Sequence, residues 1–290
     1  MRSRPYSLLV YAFVAAAFVS GCDRVGLSER SVPATTKSLQ LNGALLLTGS
    51  STLGPLASAI AERFKQLHPG VTIKVELGGS GRGISDVRAA KADIGMVSRV
   101  LTVKENDLAG IPIARDGVGI MVHADNPVKT LSTSQVIDIF TGKSRTWRLV
   151  GGPAAAITVI NRDQTRGAIE VFTHHFKIRF EDIPAAQVVG DNQQVFDSLL
   201  ANRDSVTLMS ITSAERAIQQ GVKVKLLALD GVAATGRNTS NGNYPLSRPL
   251  TFVTRDLPVG LASSFIEFAL SVQANTIIEQ AWIASSSMTG

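Results

Sequence analysis

Three stretches of this 290-residue sequence set hydroxyl or cationic side chains beside glycine: Gly49-Ser50-Ser51-Thr52, Gly79-Ser80-Gly81 and Arg162-Asp163-Gln164-Thr165-Arg166-Gly167. Each lies between a run that reads as strand and a run that reads as helix. The first turn of a helix exposes unpaired backbone N–H groups at the positive end of the helix dipole. Hydroxyl and guanidinium groups placed there favour an oxyanion. One such turn serves equally well as a helix cap or a tight bend, since Ser and Thr cap helices and Gly relieves turns. Three of them, with two arginines in the third, point to a single anion site. In an open α/β sheet these turns gather at the carboxyl ends of strands, where ligands bind.

Other chemistry finds little support. Gly142-Lys143-Ser144 matches the end of a P-loop, but position 137 is Ile where that motif needs Gly. Gly79-Ser80-Gly81-Arg82-Gly83 has the spacing of neither a nucleophile elbow nor a dinucleotide fingerprint. His174 and His175 are adjacent, so a helix aims them about 100° apart, which does not suit one metal. His68 and His123 are isolated. The single cysteine, Cys22, excludes an internal disulfide, a Cys-based zinc finger and an iron–sulfur cluster. Charged residues at 18% and apolar residues at 44% are the balance of a folded chain. The formal charge of +6 is modest and no Lys/Arg run exceeds two residues, so no nucleic-acid partner is expected. No catalytic residue, metal or cofactor is expected, and the chain reads as a binder rather than an enzyme.

The elements that must position these residues follow from periodicity. Leu45–Leu47 reads as a short strand. Ala57, Ile60, Ala61, Phe64 and Leu67 repeat at helical spacing, with Pro55 in the first turn and Pro69-Gly70 as the stop. Val71, Ile73, Val75 and Leu77 alternate as a strand. A helix over Ile84–Lys91 and a strand over Ile94–Val97 complete β-α-β-α-β, which implies a parallel sheet with crossover helices. Ile111–His123 reads as a long extended segment broken at Asp116-Gly117. Helices are expected over Ser134–Phe140, Ala168–Phe176 and Gln193–Leu200, and strands over Ile157–Ile160, Val206–Met209, Val222–Leu229 and Leu250–Thr254. Asp230–Pro249 is Gly/Asn/Ser-rich and reads as loop, and Val259–Ile283 as two helices. The tryptophans, Trp147 and Trp282, read as core.

The N-terminus has a different character. Arg2 and Arg4 precede a dozen apolar or small residues, Leu8 to Val19, too few for the roughly 20 that span a bilayer. Val19-Ser20-Gly21-Cys22 then resembles the lipobox of bacterial lipoproteins, which implies a signal peptide over 1–21 and a lipid on Cys22. Residues 22–40 read as a lipidated, flexible tether. Loss of Arg2 and Arg4 with the signal lowers the formal charge from +6 to +4. Asp23 resembles an inner-membrane retention signal of enterobacterial lipoproteins.

From residue 44 to 285 the chain resembles the substrate-binding proteins of the high-affinity phosphate ABC transporter. The resemblance is carried by Gly49-Ser50-Ser51-Thr52-Leu53-Gly54-Pro55-Leu56, Gly78-Gly79-Ser80-Gly81, Ala92-Asp93-Ile94-Gly95, Ser98-Arg99 and Ala114-Arg115-Asp116-Gly117. It continues through Asn126-Pro127, Ile139-Phe140-Thr141-Gly142-Lys143, Trp147 with Gly151-Gly152, Asn161-Arg162 and Tyr244-Pro245-Leu246-Ser247-Arg248-Pro249-Leu250. It implies an α/β, two-lobed periplasmic-binding-protein fold of type II with a mixed, largely parallel sheet in each lobe. Residues 41–118 with 230–290 would form lobe I and 119–229 lobe II. It implies anion contacts from Ser51, Thr52, Leu53, Ser80, Gly81 and Ser98 of the first lobe, and from Arg162, Arg166 and Gly167 of the second. Two departures stand out. Where the family has Ser-Gly-Thr, this chain has Arg166-Gly167-Ala168, and Arg166 faces either the anion or a carboxylate such as Asp163 or Asp116. Where some members accept a phosphate proton on Asp, this chain has Ser98.

The resemblance implies a monomeric extracytoplasmic lipoprotein, in the periplasm or at the cell surface, that captures inorganic phosphate and delivers it to permease subunits in the inner membrane. It would meet the membrane only through its lipid. Alternatives are an oxyanion-sensing or adhesive lipoprotein of the same fold, a binder of another tetrahedral oxyanion, and an enzyme such as a phosphatase.

Overall fold

The computed structural model describes residues 41–274, 276 and 277. The readings on the signal peptide 1–21, Cys22, the 22–40 tether and Trp282 lie outside the described residues. The chain order is β1 (Asn42–Gly49), α1 (Gly54–Leu67), β2 (Gly70–Leu77), α2 (Ser80–Arg88), β3 (Ile94–Val97) and β4 (Ala109–His123). Then come β5 (Thr130–Leu131), α3 (Thr133–Phe140), β6 (Thr158–Arg162), α4 (Gly167–Phe176), β7 (Gln187–Val189) and α5 (Asn192–Ala201). The last are β8 (Ser205–Ser210), α6 (Ile211–Gln219), β9 (Val224–Leu229), α7 (Gly236–Ser240), β10 (Ser247–Thr254) and α8 (Gly260–Ala269).

The molecule is two-lobed and α/β, with a mixed sheet. Strands run in the order β2-β1-β3-β10-β4-β8-β6-β7, with β9 also on β4 and β5 on β9. The β1–β2 and β1–β3 pairs are parallel, as crossover helices require. The long strand β4 holds the lobes together. Its first part pairs with β10 from Ala109 to Gly117. Its second part, from Val118 to His123, pairs with β8 and β9. The expected interruption at Asp116-Gly117 is therefore a change of partner, with the extended backbone continuing through it.

Each side of that exchange has its own core. Leu47, Ile60, Phe64, Ile94, Phe252 and Phe265 gather around β1, β3 and β10. Phe64 and Phe265 meet edge to face, with ring centroids 5.4 Å apart. Beyond the exchange, Val118, Phe140, Trp147, Phe172 and Leu208 form a second core, joined by Ala234, Tyr244 and Leu246 from further along the chain. Trp147 is fully buried and its indole N–H donates to Asp204 O at 3.0 Å.

Several elements differ from expectation for identifiable reasons. Helix α2 starts at Ser80, four residues before the expected Ile84. Gly81 and Gly83 have low helix propensity and hide the early turn from periodicity. Close packing explains the glycine: a Cβ on Gly83 would lie 2.9 Å from Met96 O and 3.0 Å from Thr48 O. Helix α6 was not expected at all. It follows β8 without a loop, capped by Ser210 Oγ accepting from Ser213 N–H, so the strand pattern ran straight into it. Helix α7, inside the segment read as loop, rests on the Thr235 cap. The short strands β5 and β7 were missed because two or three residues carry no alternation.

At the partner exchange Asp116 and Arg248 stand opposite each other on β4 and β10, exposed by 0% and 2%. Arg248 Nη2 lies 2.8 Å from Asp116 Oδ2. Asp116 Oδ1 accepts from the N–H and hydroxyl of Thr212 on α6, at 3.2 and 3.0 Å. Asp116→Ala strands a buried guanidinium, so it should lower the unfolding free energy by about 3–5 kcal/mol. A lower urea midpoint at unchanged slope checks this.

Candidate functional site

Five strand-to-helix turns converge on one cavity. Its lining is Ser50, Ser51 and Thr52 ahead of α1, Gly79 and Ser80 at α2, Ser98 after β3, Arg162 at the end of β6, Arg166, Gly167 and Ala168 at α4, Asn192 at α5 and Ser210 at α6. The cavity is about 10 Å³, against the roughly 300–1,000 Å³ of an organic-ligand pocket. It suits a compact polyatomic ion gripped by its walls. Each helix aims its N-terminal N–H groups and dipole inward, which favours negative charge.

Of the residues expected in the site, Ser51, Thr52, Ser80, Ser98, Arg162, Arg166 and Gly167 come together here. Leu53 and Gly81 do not line the cavity. Leu53 is fully buried in the first core, and its N–H donates to Ser50 Oγ at 3.2 Å. The Gly81 N–H donates to Thr165 O at 3.2 Å, across the two lobes. Ser50, Gly79 and Ala168 join the lining from the expected turns, and three contributors outside those turns were not foreseen. Asn192 and Ser210 sit at further strand-to-helix turns, Gly190-Asp191-Asn192 and Ser210-Ile211-Thr212, whose small polar residues were the available signal. Arg248 lies behind the lining. Its signal was an arginine in an apolar strand, which needs a counterion when buried.

The electrostatics are lopsided. Arg162 is 2% exposed. Its Nη2 donates to Gly190 O at 3.0 Å and Asn192 Oδ1 at 3.1 Å, while its Nε is buried without a partner. Burial first, then the positive charges of Arg166 and Arg248, pull its pKa down to about 9. Arg166 has two buried donors, Nε and Nη1, without partners. The carboxylates weighed as its partners are engaged elsewhere: Asp116 with Arg248 and Thr212, and Asp163 with the Thr165 N–H at 2.9 Å. The Thr165 hydroxyl and amide, then the two arginines, hold the Asp163 carboxyl below its ordinary value. Unpaired donors on crowded cations are costly when buried, and an anion satisfies them. Arg99, whose guanidinium grips Glu105 at 2.7 Å through both terminal nitrogens, also pairs with Glu170 of α4 across the cleft.

The sequence and fold of other proteins agree with this geometry. Residues 33–273 match the model of the PBP superfamily domain. A phosphate ABC transporter substrate-binding protein of Clostridium perfringens, solved with bound phosphate, superposes with a TM-score of 0.78 at 30% identity. That match covers 83% of this chain and 98% of the other. The chain belongs to the PBP superfamily, among the phosphate ABC transporter substrate-binding proteins. An ABC-type phosphate transport receptor of Vibrio cholerae gives a TM-score of 0.68 at 30% identity, over 82% of this chain and 98% of that one. The phosphate-binding protein PstS of Bacillus subtilis is 29% identical over 288 residues, spanning 97% of this chain and 93% of its own.

Gly167 shows how tightly the walls meet. A Cβ there would lie 2.8 Å from both Ser80 Oγ and Ser98 Oγ and 2.9 Å from Ser98 O. Only a residue without a Cβ lets α4 close on the opposite lobe. Gly167→Ala should therefore weaken anion binding by about tenfold or more, a loss of about 1.4 kcal/mol. Its urea midpoint should stay near wild type, and calorimetry beside a denaturation curve checks both.

Proposed function

We propose that this protein captures inorganic phosphate between its lobes and delivers it to the permease of an ABC transporter. The observation that carries this is the pair Arg162 and Arg166: Nε of Arg162 and Nε and Nη1 of Arg166 are buried donors that lack partners beside five helix N-termini. An oxyanion supplies what those donors need. The ligand contacts proposed are Ser51, Thr52, Ser80, Ser98, Arg162, Arg166 and Gly167. Binding shifts an open–closed equilibrium, and the Arg99–Glu170 pair and the Gly81–Thr165 bond favour the closed form. The protein performs no reaction on its ligand.

The lobes divide after residue 118, and the return to the first lobe is expected at residue 230. The packing of Ala234, Tyr244 and Leu246 with the second core supports moving the return crossing toward Ser247. The protein works as an extracytoplasmic monomer tethered by a lipid on Cys22, with the membrane permease as its partner. Among the described residues no helix is long and apolar enough to cross a membrane.

Two measurements test this reading. Inorganic phosphate titrated into the purified full chain should bind at micromolar or tighter affinity, and no heat of binding would refute it. Arg166→Ala should weaken that binding by about tenfold or more, as a charged hydrogen bond is lost. Unchanged affinity would return Arg166 to a structural role. Separately, Cys22→Ser should move the protein from the membrane to the soluble fraction of fractionated cells.

A further inference from the structure

Five of the six hydroxyls that line the cavity, all but that of Ser51, share one polarity. Ser50 Oγ accepts from the N–H groups of Thr52 and Leu53, both at 3.2 Å. Ser210 Oγ accepts from Ser213 N–H at 3.2 Å, and Ser80 Oγ from Ser98 N–H at 3.1 Å. Arg248 donates through Nη2 to Thr52 Oγ1 at 3.1 Å and through Nη1 to Ser98 Oγ at 3.4 Å. A hydroxyl has one proton and two lone pairs. Each of these hydroxyls has a lone pair occupied from outside the cavity and keeps its proton to donate. The Ser80–Ser98 contact, at 3.3 Å, uses at most one of those protons. The Asn192 Oδ1 is taken by Arg162 at 3.1 Å, and its Nδ2 donates to Ser213 Oγ at 3.3 Å. No carboxylate stands among the described residues that line the cavity.

We propose that the cavity is a donor cage, polarised by Arg248, that selects a tetrahedral oxyanion by its charge rather than by its proton. This rests on the reading that the cavity takes phosphate. Monobasic phosphate carries two O–H groups, dibasic phosphate one and sulfate none. Each ligand proton needs an acceptor, and the cage offers only the remaining lone pairs of neutral hydroxyls, with no carboxylate among its described lining residues. Dibasic phosphate therefore binds more tightly than monobasic, and sulfate competes with both. Arg248 is a positioning residue: it does not line the cavity, but it turns Thr52 and Ser98 into donors. Asp116 neutralises it from behind.

The charged groups around the anion are Arg162 on β6, Arg166 before α4, Arg248 on β10 and Asp116 on β4. Asp163 follows β6 and Asp191 caps α5, and both act on Arg162. None is a histidine, the side chain that ordinarily titrates between about pH 5 and 8. A pH slope in that window belongs to the anion.

Phosphate and sulfate are titrated separately into the intact protein at about pH 5.5 and about pH 8, spanning the second ionisation of phosphate. Phosphate affinity should rise by about fivefold or more across that span, as the dibasic fraction grows. Sulfate should bind at both pH values with little slope, within about tenfold of phosphate at about pH 8. A flat phosphate profile, or exclusion of sulfate, overturns the donor cage and leaves phosphate capture standing. Binding of neither anion overturns both. The paired change Asp116→Asn with Arg248→Met removes the outside donor without stranding a charge. It should lower the ratio of sulfate to phosphate affinity by about threefold or more, and Arg248→Lys should restore most of it. An unchanged ratio in the folded pair variant overturns the role of Arg248. Should that variant not fold, the wild-type slope and the sulfate titration decide the proposal.

Discussion

Taking a guanidinium and a carboxylate out of water costs several kcal/mol per ion, and that cost is recovered only where geometry and extra hydrogen bonds are good. Arg248 and Asp116 meet those terms. They face each other across β4 and β10, and every remaining bond they make reaches a different element. Asp116 holds the first turn of α6 through Thr212, and Arg248 reaches Thr52 before α1 and Ser98 after β3. The pair sits where β4 changes partners, so it fixes the crossing of the lobes and the walls of the cavity together. That coupling explains how hydroxyls from both ends of the first lobe come into register around a cavity of about 10 Å³.

The same construction leaves positive charge in excess. Asp116 is consumed by Arg248, which leaves Arg162 and Arg166 facing each other with unpartnered donors. Burial and mutual repulsion lower the pKa of Arg162, a destabilising arrangement for the folded protein alone. Binding energy from an anion then has a specific use, since it relieves repulsion that closing the lobes would otherwise worsen. The close approach at Gly167 works to the same end, because walls that touch exclude water and strengthen every charge interaction between them.

Most of the fold was legible, and each exception has its own local cause. Strands β1, β3, β8 and β10 and helices α1, α3 and α4 announce themselves by period and by Pro or Gly at their ends. Helix α2 hides its first turn because Gly81 and Gly83 are needed for contact with β3, and contact overrides propensity. Helix α6 hides because Ser210 ends a strand and caps a helix at the same residue. In the site, Gly-Ser turns and paired arginines were visible as an anion-binding pattern. Asn192 and Ser210 sit in the same kind of turn, but neither turn carries an arginine or the Gly-Ser pairing that made the others stand out.

Residue types and their spacing determined by themselves that the chain is α/β, that hydroxyls and arginines sit at strand-to-helix turns, and that the ligand is anionic. These follow from local physics: periodicity, capping and the dipole of a single helix. Tertiary structure decided which turns share a cavity, that Leu53 and Gly81 stand outside it, and that Asp116 and Asp163 are unavailable to Arg166. It also decided the direction of the hydroxyls of Ser50, Thr52, Ser80, Ser98 and Ser210. A serine carries both a donor and acceptors, and only the group placed behind it, here Arg248 or a backbone N–H, determines which it presents to the ligand.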